Sequence, residues 1–205
     1  MQFSLTQTSA SEIHIRKRVE GHLESALSVI EQLKLESHLS FIEGVAKLLA
    51  TTFIRGGKVI VAGNGGSLCD AAHFAEELTG FFCAKRQALP AIVLSEPGHI
   101  TCTANDMGYE WIFSRGVEAH GKHGDVFIGL TTSGNSASIL RAFEKAKEMG
   151  LSTVSFLGKD GGKAKGVADH ELLITGCTTS DRAQEAHMCA MHIIIDLVEM
   201  HLFQT

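Results

Sequence analysis

Five short apolar runs constrain what this chain can become: "KVIVAG" (58–63), "AIVLS" (91–95), "DVFIGLT" (125–131), "STVSFLG" (152–158) and "HELLIT" (170–175). They are rich in β-branched residues and lack the polar alternation of a strand with one wet face, so they read as strands buried on both faces. Segments of helical periodicity lie between them and after the last. Strand–helix alternation at this spacing is the pattern of a parallel sheet covered on both sides, and right-handed crossovers leave it few topologies. The expected fold is α/β: a three-layer sandwich around a five-stranded parallel sheet of flavodoxin-like order.

Ahead of the first run the period changes. Ile13, Val19, Leu23, Ala26, Ile30 and Leu33 recur at three- and four-residue steps, followed by Phe41, Val45, Leu48, Leu49 and Phe53, which predicts two helices before any strand. The 205 residues are 44% hydrophobic, enough for one buried core, and two prolines with no low-complexity tract leave nothing to mark a linker. A single domain over 1–205 is expected, with 1–55 as an N-terminal helical part.

The formal net charge of -5 offers no basic footprint, so neither nucleic acid nor an anionic membrane surface is an expected partner. Five cysteines, an odd number without a CxxC pair, argue against a disulfide framework and a cysteine-rich zinc module, and suit a reducing cytosol. The N-terminal "MQFSLTQTSASEIHIRKRV" lacks an uninterrupted apolar core, and no later segment has the roughly 18 unbroken apolar residues of a bilayer span. A soluble, cytoplasmic chain with a small-molecule partner is expected.

In parallel sheets ligands sit outside the carboxyl ends of the strands. After the first run, Gly63, Asn64, Gly65, Gly66 and Ser67 form a glycine-rich turn into a helix; this fits neither GxGxxG nor the GxxxxGK[ST] loop, and a tight strand-to-helix turn also explains it. After the third run, Thr131, Thr132, Ser133 and Ser136 cluster around Gly134 at another helix start. A helix N-terminus with added hydroxyls can cage a phosphate without a cationic side chain. The plainer alternative is a serine cap, but four hydroxyls exceed what a cap needs.

Two helices carry the remaining chemistry. On the first, His73 and Glu77 are four residues apart and Asp70 lies three before His73, so one face bears groups able to move protons or bind a metal; a solvated acidic face with one histidine is the alternative. On the last, Gln184 and His192 are eight residues apart and rotated by about 80°. His187 competes for the same role or is a surface or interface histidine, and Gln184 is otherwise a satisfied core amide.

The stretches "GNGGSLCDAAHFAEELTG", "HITCTANDMGYEWIFSR", "TTSGNSASI", "GKDGGK" and "DRAQEAHMCAMHIIIDLVE" resemble those of the bacterial sedoheptulose-7-phosphate isomerases (phosphoheptose isomerases) of the sugar isomerase (SIS) domain superfamily, from the mid-fifties to the C-terminus. The resemblance implies a homotetramer of SIS domains with residues 1–55 as oligomerisation helices and active sites at subunit interfaces. It implies conversion of a phosphorylated heptose, D-sedoheptulose 7-phosphate, to D-glycero-D-manno-heptose 7-phosphate through an enediol, the first step toward lipopolysaccharide heptose. Asn64, Gly65, Gly66, Asn105 and Asp106 would contact the sugar, and Thr131, Thr132, Ser133 and Ser136 its phosphate. His73, Glu77, Gln184 and His192 would hold one zinc per subunit, Glu77 would also act as base on the bound sugar and His192 as acid, and Gln184 would also touch substrate. Two positions depart from the family pattern: Thr131 stands where serine is expected, and Phe81-Phe82 where an arginine is usual. A non-catalytic relative that binds the replication initiator shares the fold and the phosphate loop, as do isomerases of other phosphosugars.

Overall fold

The computed structural model describes residues 9–203; the start of the N-terminal segment discussed above, residues 1–8, lies outside the described residues. Two helices come first, α1 (Ser9–Glu31) and α2 (Glu36–Ile54), joined by a short turn. Then follow β1 (Val59–Gly63), α3 (Gly66–Thr79), β2 (Ala91–Val93), α4 (Pro97–Asp106), α5 (Ile112–His120), β3 (Val126–Thr131), α6 (Ala137–Glu148), β4 (Ser152–Gly158), β5 (His170–Ile174) and α7 (Ser180–Phe203). The strands pair in the order β2-β1-β3-β4-β5, all parallel, the flavodoxin-like order expected.

Burial follows the sequence pattern. Every residue of β1 and β3 is buried, as is all of β4 except Ser152. One face of the sheet, including Val61, Ile128 and Phe156, packs on α2, α3 and α7 through Leu49, Phe74 and Ile194. The opposite face, including Ile60 and Phe127, packs on α5 and α6 through Phe113, Ile139 and Phe143. Strand β2 is shorter than the apolar run that predicted it, because Glu96 accepts from Gly98 N and His99 N and so caps α4 with Pro97 in its first turn. Leu94 N still donates to Val61 O at 3.0 Å, and the pairing with β1 ends there.

Helix α7 is, among the described residues, the one helix long and apolar enough by length and composition to cross a membrane. Its residues are not unbroken in hydrophobicity, and it serves as a core helix: Ala183, Ala186, Ala190, Met191, Ile194, Ile195 and Val198 are buried against the sheet, α2 and α3. Helix α1 differs, since from Glu12 to Ser28 only Ala26 is half-buried and the rest is exposed.

His187 faces inward from α7 and is fully buried. Its Nε2–H donates to the Leu157 carbonyl at 2.9 Å, and its ring meets Phe156 edge-on with centroids 5.5 Å apart. It is thus a core residue of β4–α7 packing, neither a surface or interface histidine nor a competitor for the site. Burial pushes its pKa down to about 4, with the bond to Leu157 opposing. The unfolded chain, titrating near 6.5, takes up the proton first as pH falls. The stability due to this neutral ring is therefore complete above pH 6.5 and is lost on acidification toward pH 4, by up to roughly 3 kcal/mol. His187→Leu is expected to lower stability at pH 7 yet flatten its dependence on pH between 6.5 and 4.5. Urea unfolding across that range measures both, and parallel curves for the two proteins would refute the assignment.

Candidate active site

The strand order reverses direction between β1 and β3, and the loops that follow these two strands face each other there, the position where open parallel sheets bind ligands. Asn64, after β1, donates from Nδ2 to Ser138 Oγ of α6 at 3.1 Å and accepts from the Tyr109 hydroxyl at 2.7 Å. Asn64, Tyr109, Glu110, Ser136 and Ser138 line a cavity of about 440 Å³. Neither Tyr109 nor Ser138 was singled out from the sequence. Ser138 sits inside the quoted hydroxyl-rich loop, and Tyr109 is the only tyrosine in the chain.

The glycines of the first loop have distinct reasons to be there. Gly65 has a φ of +56°, in the left-handed region. A Cβ on Gly66 would lie 2.5 Å from the Gln184 amide, so Gly66 lets the Gln184 side chain lie on the start of α3, where Nε2 donates to Ser67 Oγ at 3.3 Å.

The second loop is built as an open cage. Ser136 occupies the N-cap position of α6, yet its side chain makes no capping bond; its hydroxyl instead accepts from Thr131 Oγ1 at 3.3 Å. Thr132 Oγ1 donates to Ser180 Oγ at 3.0 Å, at the start of α7. Ser133 Oγ accepts from Asn135 N at 3.2 Å. The cap alternative thus fails for Ser136, while Ser133 closes a local turn. The "GKDGGK" segment buttresses the loop from outside: Lys163 N donates to Asn135 Oδ1 and Ala164 N to Gly134 O. Asn105 and Asp106, in the last turn of α4, are exposed and bonded to each other at 2.9 Å.

A second group forms where α3 crosses α7. His73 Nε2 lies 3.2 Å from Glu77 Oε1, and His192 Nε2 lies 3.6 Å from Glu77 Oε2. One ligand atom from each of the three residues fits within 4.8 Å of the others. The Glu77 side chain is only 14% exposed, and Oε2 is buried without a hydrogen-bond partner among the described residues. Such an atom is costly unless something binds it. Two imidazoles and a carboxylate are an ordinary catalytic zinc set with an open fourth position, so the residues fit the metal that the sequence suggested.

Gln184 is not gathered into this group within the chain. Eight residues of helix put it about 12 Å along α7 from His192, and its amide is engaged by Ser67. Equal facing, which the sequence allowed, does not shorten the axial distance. Asp70 shares the His73 face and is half-buried; burial pushes its pKa up to about 6, with His73 opposing. Phe82, noted from the sequence only as part of a departure, stacks on the His192 ring with centroids 5.5 Å apart and planes 9° from parallel.

The SIS domain family model matches residues 22–158. A phosphoheptose isomerase of Fusobacterium nucleatum is 59% identical over 161 residues, covering 78% of this chain and 82% of its own. The phosphoheptose isomerase of Vibrio cholerae is 48% identical over 185 residues, 90% of this chain and 97% of that one. The chain belongs to the SIS domain family and, within it, to the phosphoheptose isomerases. The solved phosphoheptose isomerase GmhA from Neisseria gonorrhoeae superposes with a TM-score of 0.83 at 31% identity, over 90% of this chain and 98% of that one.

For a phosphoheptose isomerase with this crossing of α3 and α7, Glu77→Gln replaces the anionic member of the trio. With zinc as the metal the trio would hold, the affinity is expected to fall by more than the roughly 10- to 100-fold typical of changes outside the ligand set. Competition with a chromophoric chelator measures this, and an unchanged affinity would remove Glu77 from the metal site.

Proposed function

We propose that this isomerase interconverts D-sedoheptulose 7-phosphate and D-glycero-D-manno-heptose 7-phosphate, in the cytoplasm, as the first step toward the heptose of lipopolysaccharide. The observation that carries the reading is the Glu77 carboxylate, enclosed between His73 and His192 with one buried oxygen left free. An enediol isomerisation needs a group of this kind to take a proton from C1 and return it at C2, and a second group to supply and remove protons at the oxygens. Glu77 takes the first role. His192, whose ring nitrogen faces Glu77, takes the second when that nitrogen is not committed to a metal, because a lone pair bound to zinc can neither accept nor carry a proton. Zinc held by His73, Glu77 and His192, with Gln184 as a fourth donor, would polarise the sugar carbonyl as a Lewis acid.

The phosphate is held by the α6 N-terminus and by Thr131, Thr132, Ser133 and Ser136, where unpaired N–H groups and the positive end of the helix dipole favour an anion. Asn64, Gly65, Gly66, Asn105 and Asp106 are assigned to the sugar chain. Thr131 keeps the hydroxyl of the serine expected there, and it bonds Ser136.

The distances within one chain favour a shared site. Thr132 of the phosphate loop bonds Ser180, and His192 lies twelve residues further on, about 18 Å along α7. That exceeds the reach of an extended heptose from carbonyl to phosphate. We therefore assign the phosphate loop and the His73–Glu77–His192 group that act on one substrate to neighbouring subunits, with Gln184, beside the loop, contributed across the interface. A homotetramer joined through the N-terminal helices supplies such an arrangement, and the exposed Ile15, Val19, Leu23 and Leu27 give α1 an apolar stripe for it.

The reaction is tested by proton NMR of the protein with sedoheptulose 7-phosphate in D₂O, before and after chelation and zinc add-back. An aldoheptose 7-phosphate carrying deuterium at C2 is expected; neither product nor exchange under any metal condition would overturn the proposal. Ser133→Ala is expected to raise KM roughly tenfold with kcat little changed, because a hydrogen bond to a charged group is lost in ground and transition states alike. An unchanged KM would count against the cage.

A further inference from the structure

The His192 ring is set by a device two helical turns below it. Glu199 lies seven residues after His192, which returns it to within about 20° of the same face of α7. Its carboxylate is 2% exposed and accepts from Phe82 N at 3.1 Å, Cys83 N at 3.1 Å, Ala84 N at 3.2 Å and Arg86 Nε at 2.7 Å. Burial acts to raise its pKa, but these bonds outweigh it and hold it below the usual carboxylate range.

Arg86, also 2% exposed, gives its remaining donors mostly to the C-terminal end of α3: Nη2 to Glu77 O at 2.9 Å, and Nη1 to Leu78 O at 2.9 Å and Gly80 O at 3.1 Å, with Gln87 O at 3.0 Å as a further acceptor of Nη1. The pair thus joins α7, which carries His192, to the last turn of α3, which carries Glu77. The loop it pins, residues 80–86, lays Phe82 on one face of the His192 ring. His73 meets the same ring edge-on, with centroids 5.2 Å apart. His192 is therefore confined on two sides, while its Nε2 faces Glu77.

We propose that Phe82 is a positioning residue for His192, and that the buried Arg86–Glu199 pair is the clamp that holds Phe82 in place and fixes α7 against the end of α3. A fixed ring loses no rotamer freedom when its nitrogen engages a metal or a substrate proton, which is how supporting groups raise the affinity of a ligand set. The inference rests on the reading of His73, Glu77 and His192 as the reactive group.

Removing Glu199 would leave Arg86 buried without its counter-charge and can unfold the chain, so the test is made at Phe82. Phe82→Leu keeps most of the apolar volume and removes the flat face; Phe82→Tyr keeps the face. Zinc affinity by chelator competition, kcat and KM, the melting temperature, and the His192 ring resonances in ring-labelled, metal-free protein are measured for both.

For Phe82→Leu, zinc affinity and kcat are expected to fall by roughly 10- to 100-fold, with KM within about twofold because the phosphate loop is untouched. The His192 ring protons are expected to shift as the stacked aromatic ring is lost. Phe82→Tyr is expected to restore all of these. Unchanged affinity, kcat and ring resonances in Phe82→Leu would overturn the proposal. So would equal losses in the Leu and Tyr variants that track a lowered melting temperature. If wild-type protein binds no zinc, the metal reading fails by itself, and kcat with the ring resonances still decides whether Phe82 positions His192.

Discussion

The close seat of α7 on the sheet is the contact on which the rest of this structure depends. Ala183, Ala186 and Ala190 line its buried side and let the helix approach β4 and α3, and His187 pins it with a hydrogen bond to the β4 backbone. Everything the other face of α7 presents inherits that placement. Gln184 reaches the first turn of α3, His192 reaches Glu77, and Glu199 receives the loop that follows α3. One helix thus sets both ends of the chemistry, and a rotation or slide of α7 would misplace them together. Interiors at crystal-like density do not deform smoothly enough to absorb such a change.

Much of the fold was legible in the sequence because its signal is local. Unbroken β-branched runs gave β1, β3, β4 and β5 within a residue at each end, and the helical periods between them required parallel pairing. The trimmed edge of β2 was readable too, in Glu96-Pro97, where proline favours the first helical turn. On the site, spacing placed His73 beside Glu77, since neighbours at i and i+4 must share a face. Spacing could not place Gln184, because facing the same way is a statement about rotation and metal binding is one about distance. Phe82, Arg86 and Glu199 were silent for another reason: their partners are more than 100 residues away in the chain, and no local period announces a buried ion pair.

The hydroxyl loop shows how little the local reading of a motif settles by itself. A serine at an N-cap normally spends its oxygen on a backbone N–H of the first turn. Ser136 holds that position and does not do so, leaving the α6 N–H groups and the helix dipole turned toward the cavity beside Asn64. The backbone needed to hold this open shape is supplied from outside, by Gly134 at a φ of +64° packed against Gly161 and by Asn135 tied to Lys163. The glycine and asparagine of the motif serve the shape, and the Ser136 hydroxyl, which accepts from Thr131, keeps its own proton to give to a ligand.

The same reasoning separates an isomerase from a scaffold of the same fold. A protein that only presents a surface to a partner gains nothing from a nearly enclosed carboxylate whose second oxygen finds no hydrogen-bond donor among the described residues. Leaving such a group unsatisfied costs on the order of 1–3 kcal/mol, a large part of the margin by which a domain is stable. Glu77 sits in that position, flanked by two imidazoles, and α3 and α7 are braced around it by a buried ion pair that itself must be desolvated. Packing apolar residues at this crossing would give a more stable scaffold. The arrangement makes physical sense when the free oxygen and the two rings have something to bind between them, which the proposed metal and the carbonyl end of a sugar phosphate would supply.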